Sequence, residues 1–174
     1  DAMRFLKASI GQLKGDTTAG GASTITMQIS KNAYTSNESN GIEGIIRKFT
    51  DIYISMFKLE RTYSKEELLE FYVNFPYLGS NCYGVETASL NYFGKHVNDL
   101  TLSESALIAG LFNAPSDYDP RQNPENATKR RNEVLKLMYK HGYITETQFN
   151  DELDISLDSL LIKKPDTNTK YQGF

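Results

Sequence analysis

The chain has 174 residues, of which 39% are hydrophobic and 24% charged, and its formal net charge at pH 7 is -3. This length and composition suit one folded domain with a real core, and they exclude a disordered chain. The slight acidic excess argues against a broad nucleic-acid-binding surface, although it leaves room for a local basic pocket. A single cysteine cannot form a disulfide within the chain, and the two histidines lack metal-ligand spacing, so we expect no structural zinc site.

Helical patterns begin at the start of the chain. Apolar residues recur at helical spacing over residues 2–13, and residues 16–21 have the composition of a flexible loop. A short helix is predicted over about residues 23–33, with Ser23 as its N-cap. No run of 18 apolar residues is present, so the sequence predicts no membrane-spanning segment within these 174 residues.

The remaining predicted elements are also helices. The longest periodic segment covers residues 42–61, with one apolar stripe. Residues 64–67 and 101–104 match the capping box that precedes a helix, and further helices are predicted over about 125–140 and from 145. The sequence therefore predicts a mostly α fold, with at most a short strand near the C-terminus.

The composition changes after Leu153, which suggests a domain boundary. Apolar residues at 155–162 are followed by two lysines and a proline. We predict a domain over residues 1–153 and an extended linker over 154–174 that leads into another domain. Because the chain opens in mid-pattern without an initiator methionine, we expect it to be a piece of a longer protein.

Residues 20–32 are the most informative stretch for function. They place two glycines, several small hydroxyl residues and an amide at the mouth of a predicted helix, with Lys31 further in. Glycines let backbone N–H groups approach a ligand, and a helix start presents unpaired N–H donors with partial positive charge. This chemistry suits an anionic, oxygen-rich ligand such as a phosphorylated sugar. The alternative interpretation is a glycine turn followed by a capped helix.

A second polar group lies on the long predicted helix. Arg47 and Lys48 are each within one turn of Asp51, and either can pair with it. One interpretation is a solvated ion pair on the outer face. The other is a carboxylate held among cations beside a phosphate site, where the cations favour its ionised form and meet the substrate's charge.

Two other patterns have less specific meanings. Glu70 and Asn74 are four residues apart and share a helix face. The basic cluster at residues 129–131 is expected to be a solvated face, with binding to acidic lipid or phosphate as the alternative. Aromatic residues of this half of the chain are expected to build a core more than a sugar-binding platform: Phe71, Tyr72, Phe75, Tyr77, Tyr83, Tyr92 and Phe93.

Taken in order, these segments resemble the glycosyltransferase family 51 domain of penicillin-binding proteins and monofunctional transglycosylases. Residues 21–32 are similar to the family's Gly-Gly-Ser-Thr-Ile-Thr-Gln-Gln motif, with Ala22 and Met27 in place of a glycine and a glutamine. Arg-Lys at 47–48 with Asp51 resembles the Arg-Lys-x-x-Glu motif, with aspartate replacing glutamate.

The similarity extends over most of residues 1–150. Residues 70–74, followed by glycines at 79 and 84, resemble the fourth motif, and residues 102–115 resemble the fifth. Residues 164–174 resemble the junction to a transpeptidase domain in bifunctional members, so we expect such a domain downstream.

The resemblance implies a lysozyme-like peptidoglycan glycosyltransferase domain with a membrane-dipping lobe and a cleft. Such domains polymerise lipid II into glycan strands and release undecaprenyl pyrophosphate, with a glutamate of a first motif, Glu-Asp-x-x-Phe, as general base. That motif is absent from these 174 residues. Since general-base help is worth about 10²–10⁴-fold, we expect this N-terminally truncated piece alone to be inactive or nearly so.

The resemblance also implies roles for single residues. Lys31 would stabilise the departing pyrophosphate, and Asp51 stands at the second acidic position of the family, which makes these two the expected catalytic residues. Glu70 and Asn74 are expected to have supporting or structural roles. The expected substrate-binding residues are Ser23, Thr24, Gln28, Arg47 and Lys48.

The expected partners are lipid II, the growing glycan strand, a membrane surface and moenomycin-type inhibitors, but not nucleic acid. The resemblance implies no organic cofactor, and the metal ion to be tested at the pyrophosphate is Mg²⁺ or Mn²⁺. The expected location is the extracytoplasmic face of a bacterial cell membrane, with an upstream transmembrane helix in the parent protein.

Two other functions stay open from the sequence. A lysozyme-like glycan hydrolase would need two carboxylates at a defined separation across the scissile bond, and no such pair stands out. A non-catalytic module that binds a lipid-linked sugar would be consistent with the absent first motif and with the shorter acidic side chain at position 51.

Overall fold

The structure, a computed structural model, describes residues 24–34 and 41–163. Helices dominate this part of the chain, and within it the β-type pairing is an isolated antiparallel bridge between Tyr77 and Tyr83. The prediction of a mostly α fold is confirmed. The helices are α1 (Ile25–Tyr34), α2 (Gly41–Ile54), a π-helical turn (Ser55–Leu59), α3 (Glu60–Thr62), α4 (Lys65–Asn74), α5 (Val85–Phe93), a 3₁₀ turn (Val97–Asp99), α6 (Leu102–Leu111), α7 (Pro124–Lys140), α8 (Glu146–Leu153) and α9 (Leu157–Leu160).

Among the described helices, none has both the length and the apolar character that crossing a lipid bilayer requires.

The chain divides into two compact units between Val73 and Asn74. In the first unit, α1 packs against α2 and against the π-helical turn that follows it. The hydroxyl of Thr24 accepts a hydrogen bond from the N–H of Met27 at 3.2 Å, so Thr24 caps α1. The prediction of Ser23 as the cap is therefore wrong by one residue, and Ser23 itself lies outside the described residues.

The long predicted helix is interrupted near its end by the π-helical turn. The hydroxyl of Ser55 donates to the backbone carbonyl of Asp51, four residues earlier, at 2.6 Å. Such a hydrogen bond from a serine side chain often bends a helix. The next helix, α4, begins at a capping box as predicted, because Ser64 and Glu67 exchange side-chain-to-backbone hydrogen bonds.

The second unit is built around α5, α6 and α7. The predicted capping box at Thr101 forms, with Glu104 as its reciprocal partner. A second capping box joins Thr145 and Gln148 at the start of α8. α6 packs along α7, and α7 packs against α8. The main core consists of Leu78, Cys82, Ala88, Tyr92, Phe93, Leu107, Ile108, Leu111, Ala127 and Leu157.

The beginning of the predicted linker packs on this core. Leu157 on α9 is buried in it, and the N–H of Ile162 donates to the carbonyl of Tyr92 at 2.8 Å. Arg121 donates to the carbonyl of Ile162 at 3.1 Å. The start of the predicted linker is thus not a free extended segment, because Leu157–Leu160 form α9 and the apolar side chains of Leu157, Leu160 and Leu161 pack on the main core. The domain division itself stays a prediction.

The basic cluster at residues 129–131 is not a fully solvated face. Arg131 is only 1% exposed, and its guanidinium donates to the carbonyl of Ile155 at 2.7 Å. Burial lowers the pKa of Arg131, and the nearby charge of Glu152 opposes this shift. The sequence interpretation fails here because α7 packs between α6 and α8, which leaves one of three consecutive side chains facing inward.

Candidate functional site

The first candidate region is the solvent-facing side of α1. Thr24, Gln28 and Lys31 follow one another at helical spacing, and all three are exposed. The opposite side of the helix is buried through Thr26, Met27 and Ser30. The fold therefore places the hydroxyl, amide and ammonium groups of three predicted site residues along one accessible helix face.

A contact from α4 holds one of these side chains. The hydroxyl of Tyr72 donates to Oε1 of Gln28 at 3.4 Å. Tyr72 is therefore an additional residue of this region, which the sequence pattern groups with the aromatic residues expected in the core. The two residues are 44 positions apart, and no local pattern could have paired them.

Asp51 lies on the buried side of this arrangement. Its side chain is 5% exposed, and its Oδ1 accepts a hydrogen bond from the hydroxyl of Ser30 at 3.4 Å. Arg47 and Lys48, one turn earlier on α2, are half-buried. The interpretation of Asp51 as part of a solvated surface ion pair is wrong, because α1 covers this face of α2.

The other predicted residues have simpler surroundings. Glu70 and Asn74 are both exposed on α4. Asn74 contributes through its backbone, since a Cβ added at Gly84 would lie 2.5 Å from the Asn74 carbonyl oxygen. The roles expected of Glu70 and Asn74 stay predictions, while Ser23 lies outside the described residues.

A groove of about 520 Å³ opens at the N-terminal end of α1. Its walls are mostly apolar, with Lys65 as the cationic residue and Glu60 as the acidic one. The start of α1 contributes backbone N–H donors without intrahelical partners, which favour an anionic group. An amphiphilic anion would match this lining, which consists of Thr24, Ile25, Thr26, Glu60, Tyr63, Lys65, Leu68 and Leu69.

A divalent ion is a separate question. Within residues 24–34 and 41–163, no three His, Cys, Asp or Glu side chains come together in a way that could hold a metal. An ion bound beside Asp51 would take its other oxygen ligands from phosphate groups and water, as Mg²⁺ does at many phosphate sites. The Mg²⁺ or Mn²⁺ prediction stays a prediction.

Comparison with known proteins agrees with the motifs. The family described as Transglycosylase matches residues 1–139. The chain is 38% identical over 172 residues to penicillin-binding protein 1A of Pseudomonas aeruginosa, and this alignment covers 98% of the chain and 20% of that protein. It is 41% identical over 154 residues to penicillin-binding protein 1A of Aquifex aeolicus, and this alignment covers 88% of the chain and 20% of that protein. The chain thus spans about a fifth of the length of these relatives.

A solved structure gives the same result. The 2.6 Å crystal structure of penicillin-binding protein 1A from Haemophilus influenzae is 43% identical in sequence, with a TM-score of 0.51. The match covers 55% of this chain and 14% of that one. The matched family covers more than two thirds of the chain, and the relatives are well above 30% identical, which confirms the resemblance drawn from the motifs. The chain belongs to the transglycosylase family.

Proposed function

We propose that this chain is part of a peptidoglycan glycosyltransferase that polymerises lipid II into glycan strands and releases undecaprenyl pyrophosphate. One observation carries the proposal most directly. Thr24, Gln28 and Lys31 share the exposed face of α1. A hydroxyl, an amide and an ammonium group in a row suit a sugar linked to a pyrophosphate, because they offer neutral hydrogen bonds beside a positive charge.

Lys31 supports the leaving group in this proposal. As the bond between the anomeric carbon and the pyrophosphate oxygen breaks, its electron pair stays on the oxygen and negative charge accumulates there. An ammonium group placed near this oxygen stabilises the transition state more than the ground state. The acceptor hydroxyl attacks from the opposite side, so the anomeric configuration inverts, and its proton passes to a general base that we place outside residues 24–163.

Gln28 and Thr24 orient the substrate. The hydroxyl of Tyr72 engages Oε1 of Gln28, which leaves the amide N–H₂ group of Gln28 to donate to a sugar or phosphate oxygen. Thr24 faces the groove at the start of α1. Arg47 and Lys48 would add positive charge beside the same helix, and moenomycin-type inhibitors would compete for the site.

We assign Asp51 a role that acts through α1. Its carboxylate is buried and bonded to Ser30, the residue that directly precedes Lys31. A buried aspartate in this position fixes the rotation of α1 and so the direction of its exposed face. Asp51 is therefore proposed as a positioning residue, and Glu70 as a supporting one. The Mg²⁺ or Mn²⁺ ion would bind to the pyrophosphate and neutralise part of its charge.

The first unit also supports the proposal of a membrane partner. Large apolar side chains remain exposed along α2 and the π-helical turn: Ile46, Phe49, Tyr53, Met56 and Phe57. Their spacing places them along one side of a helix, and an exposed apolar patch of this kind marks an interaction surface. A membrane at the extracytoplasmic face would cover this surface and present the lipid-linked substrate.

The test is polymerisation of labelled lipid II by the full-length protein that contains this chain. We expect Lys31→Ala to lower the rate by about 10²-fold, since removal of one group that stabilises the negative charge of the transition state has effects of this order. Lys136→Ala, which removes an exposed lysine on α7, serves as the matched control and should leave the rate unchanged. A Lys31→Ala variant with the wild-type rate would contradict the proposal.

The products distinguish this proposal from glycan hydrolysis. Elongated strands and released pyrophosphate-lipid are expected with lipid II as substrate. Shortening of preformed glycan, with no elongation of lipid II, would instead identify a hydrolase.

A further inference from the structure

A short loop between α4 and α5, residues 76–84, presents two tyrosine rings on the surface of the second unit. The N–H of Leu78 donates to the carbonyl of Cys82 at 2.8 Å, and Tyr77 pairs with Tyr83 in an antiparallel bridge. Leu78 and Cys82 are buried in the core, whereas Tyr83 is exposed and Tyr77 is half-buried beside it. Their ring centroids are 5.4 Å apart with a 54° tilt, and Tyr83 is 65% exposed.

The loop is fixed from below by a buried carboxylate. Oδ2 of Asp119 accepts hydrogen bonds from both the N–H and the hydroxyl of Ser80, each at 2.8 Å. The hydroxyl of Tyr92 donates to the carbonyl of Leu78 at 3.0 Å. Ser80 and Asn81 adopt positive φ angles of 44° and 60°, which non-glycine residues rarely do outside over-determined sites. The N–H of Cys82 donates to the carbonyl of Gly79 at 2.8 Å and closes the turn around these two residues, and positive φ at both central residues is usual in tight hairpin turns.

The segment that carries the two tyrosines has no charged side chain of its own. Residues 71–85 contain no Asp, Glu, Lys or Arg, in a chain that is 24% charged. A segment without charged side chains is not suited to bind a phosphate, a nucleic acid or a charged peptide, because these ligands require opposite charges. It suits a neutral ligand that has both apolar faces and hydrogen-bonding edges.

A sugar ring has this chemistry. The C–H groups on the face of a pyranose carry partial positive charge and pack against the negative face of an aromatic ring. Its hydroxyls are directed outward at the ring edge, where tyrosine hydroxyls and the exposed amide of Asn81 can bond them. The rigid loop lowers the entropy that would be lost when the platform orders on binding.

We infer that Tyr83, supported from the side by Tyr77, is a platform on which a sugar ring of the glycan strand stacks. The choice of ligand class rests on the proposed function, because a glycan polymerase must hold the strand as well as the pyrophosphate. The platform is formed entirely within the second unit, and it needs neither lipid nor phosphate for binding. Of the aromatic residues that the sequence predicts to build a core, Tyr92 and Phe93 do so, whereas Tyr83 is exposed.

The test uses the full-length protein and chitotetraose, a soluble β-linked amino-sugar oligomer without lipid or phosphate. Isothermal titration should show saturable binding that Tyr83→Ala weakens by at least about tenfold, as expected for a central aromatic contact. Tyr83→Phe keeps the ring and should stay within about threefold of the wild type. Tyr143→Ala removes a tyrosine that is 79% exposed in the same unit, and it should not change the affinity.

Two results would overturn the inference: no saturable chitotetraose binding by the wild type, or wild-type affinity in Tyr83→Ala. Recovery of binding in Tyr83→Phe separates loss of the platform from misfolding of the loop. Failure of the proposed function is recognised separately, because Lys31→Ala should lower the polymerisation rate by about 10²-fold while leaving the chitotetraose affinity unchanged.

Discussion

The hydroxyl of Ser30 on α1 donates a hydrogen bond to Oδ1 of Asp51 on α2, and both side chains are buried. This contact joins the two segments that carry the predicted site residues Lys31 and Asp51. Ser30 stands between Gln28 and Lys31 in the sequence but faces the other way, because a helix directs successive side chains around its axis. The buried contact and the exposed binding face are thus two sides of one helix.

The first prediction concerns this contact. Ser30→Ala removes the hydroxyl and leaves the buried Asp51 with one donor fewer, so we expect the free energy of unfolding to fall by about 1 kcal/mol. The measurement is denaturant-induced unfolding of the full-length protein, followed by a probe in the first unit. Asn32→Ala, an exposed position on the same helix, should change stability by less than about 0.5 kcal/mol. Equal stabilities for the two variants would show that the hydrogen bond contributes nothing.

The second prediction compares two glycines with similar backbone angles. Gly84 has φ 78° and Gly142 has φ 75°, but a Cβ at Gly84 would lie 2.5 Å from the Asn74 carbonyl oxygen, whereas nothing lies within 4 Å at Gly142. Gly142→Ala should cost about 1–2 kcal/mol, the penalty of the left-handed conformation. Gly84→Ala should cost about 2 kcal/mol more, since overpacking is added.

Parallel denaturant titrations of these two variants measure the difference. A Gly84→Ala variant as stable as Gly142→Ala would mean that the backbone at residues 74 and 84 moves apart more easily than the structure indicates.

The third prediction concerns pH. The backbone N–H of Val97 and the ring of His96 both bond the carboxylate of Glu86, which holds the pKa of Glu86 below its ordinary value of 4.5. The same hydrogen bond to Glu86 raises the pKa of His96 above its ordinary value of 6.5, and Asp99 adds to the rise. The stabilisation from His96 is complete below pH 6.5 and is lost as the pH rises through its folded-state pKa. The stabilisation from Glu86 is complete above pH 4.5 and is lost as the pH falls through its own folded-state pKa.

An NMR titration of the His96 ring checks this prediction. We expect a midpoint above 6.5 in the wild type and a lower midpoint in Glu86→Gln. Glu125→Gln, a substitution at the start of α7, should leave the midpoint where it is. If Glu86→Gln also leaves it unchanged, the contact does not form in solution.

The fourth prediction tests the proposed membrane surface. Nitroxide labels at Phe49→Cys and at Tyr143→Cys both occupy exposed aromatic positions, one in each unit. In proteoliposomes, we expect the label at position 49 to be relaxed more by lipid-soluble oxygen than by a water-soluble nickel chelate. The label at position 143 should show the reverse, because burial in the bilayer interface excludes the chelate. The same accessibility at the two positions would argue against the membrane contact.

The sequence by itself determined the helical class and the family. Helical spacing, the capping residues at Ser64 and Thr101, and contiguous motifs depend on neighbours a few residues apart, so they can be identified without coordinates. The identity of the predicted site residues came from the same short-range information. Their roles in binding and catalysis stay predictions, to be decided by the experiments above.

Only the tertiary structure decided which of these residues are buried and which partners they have. Ser30 contacts Asp51 across 21 positions, Arg131 reaches Ile155 across 24, and Ser80 is held by Asp119 across 39. A residue pattern records which side of its own helix a side chain occupies, but not which other helix covers that side. That choice depends on packing between elements that are distant in the chain, and it separates the buried Asp51 from the exposed Lys31.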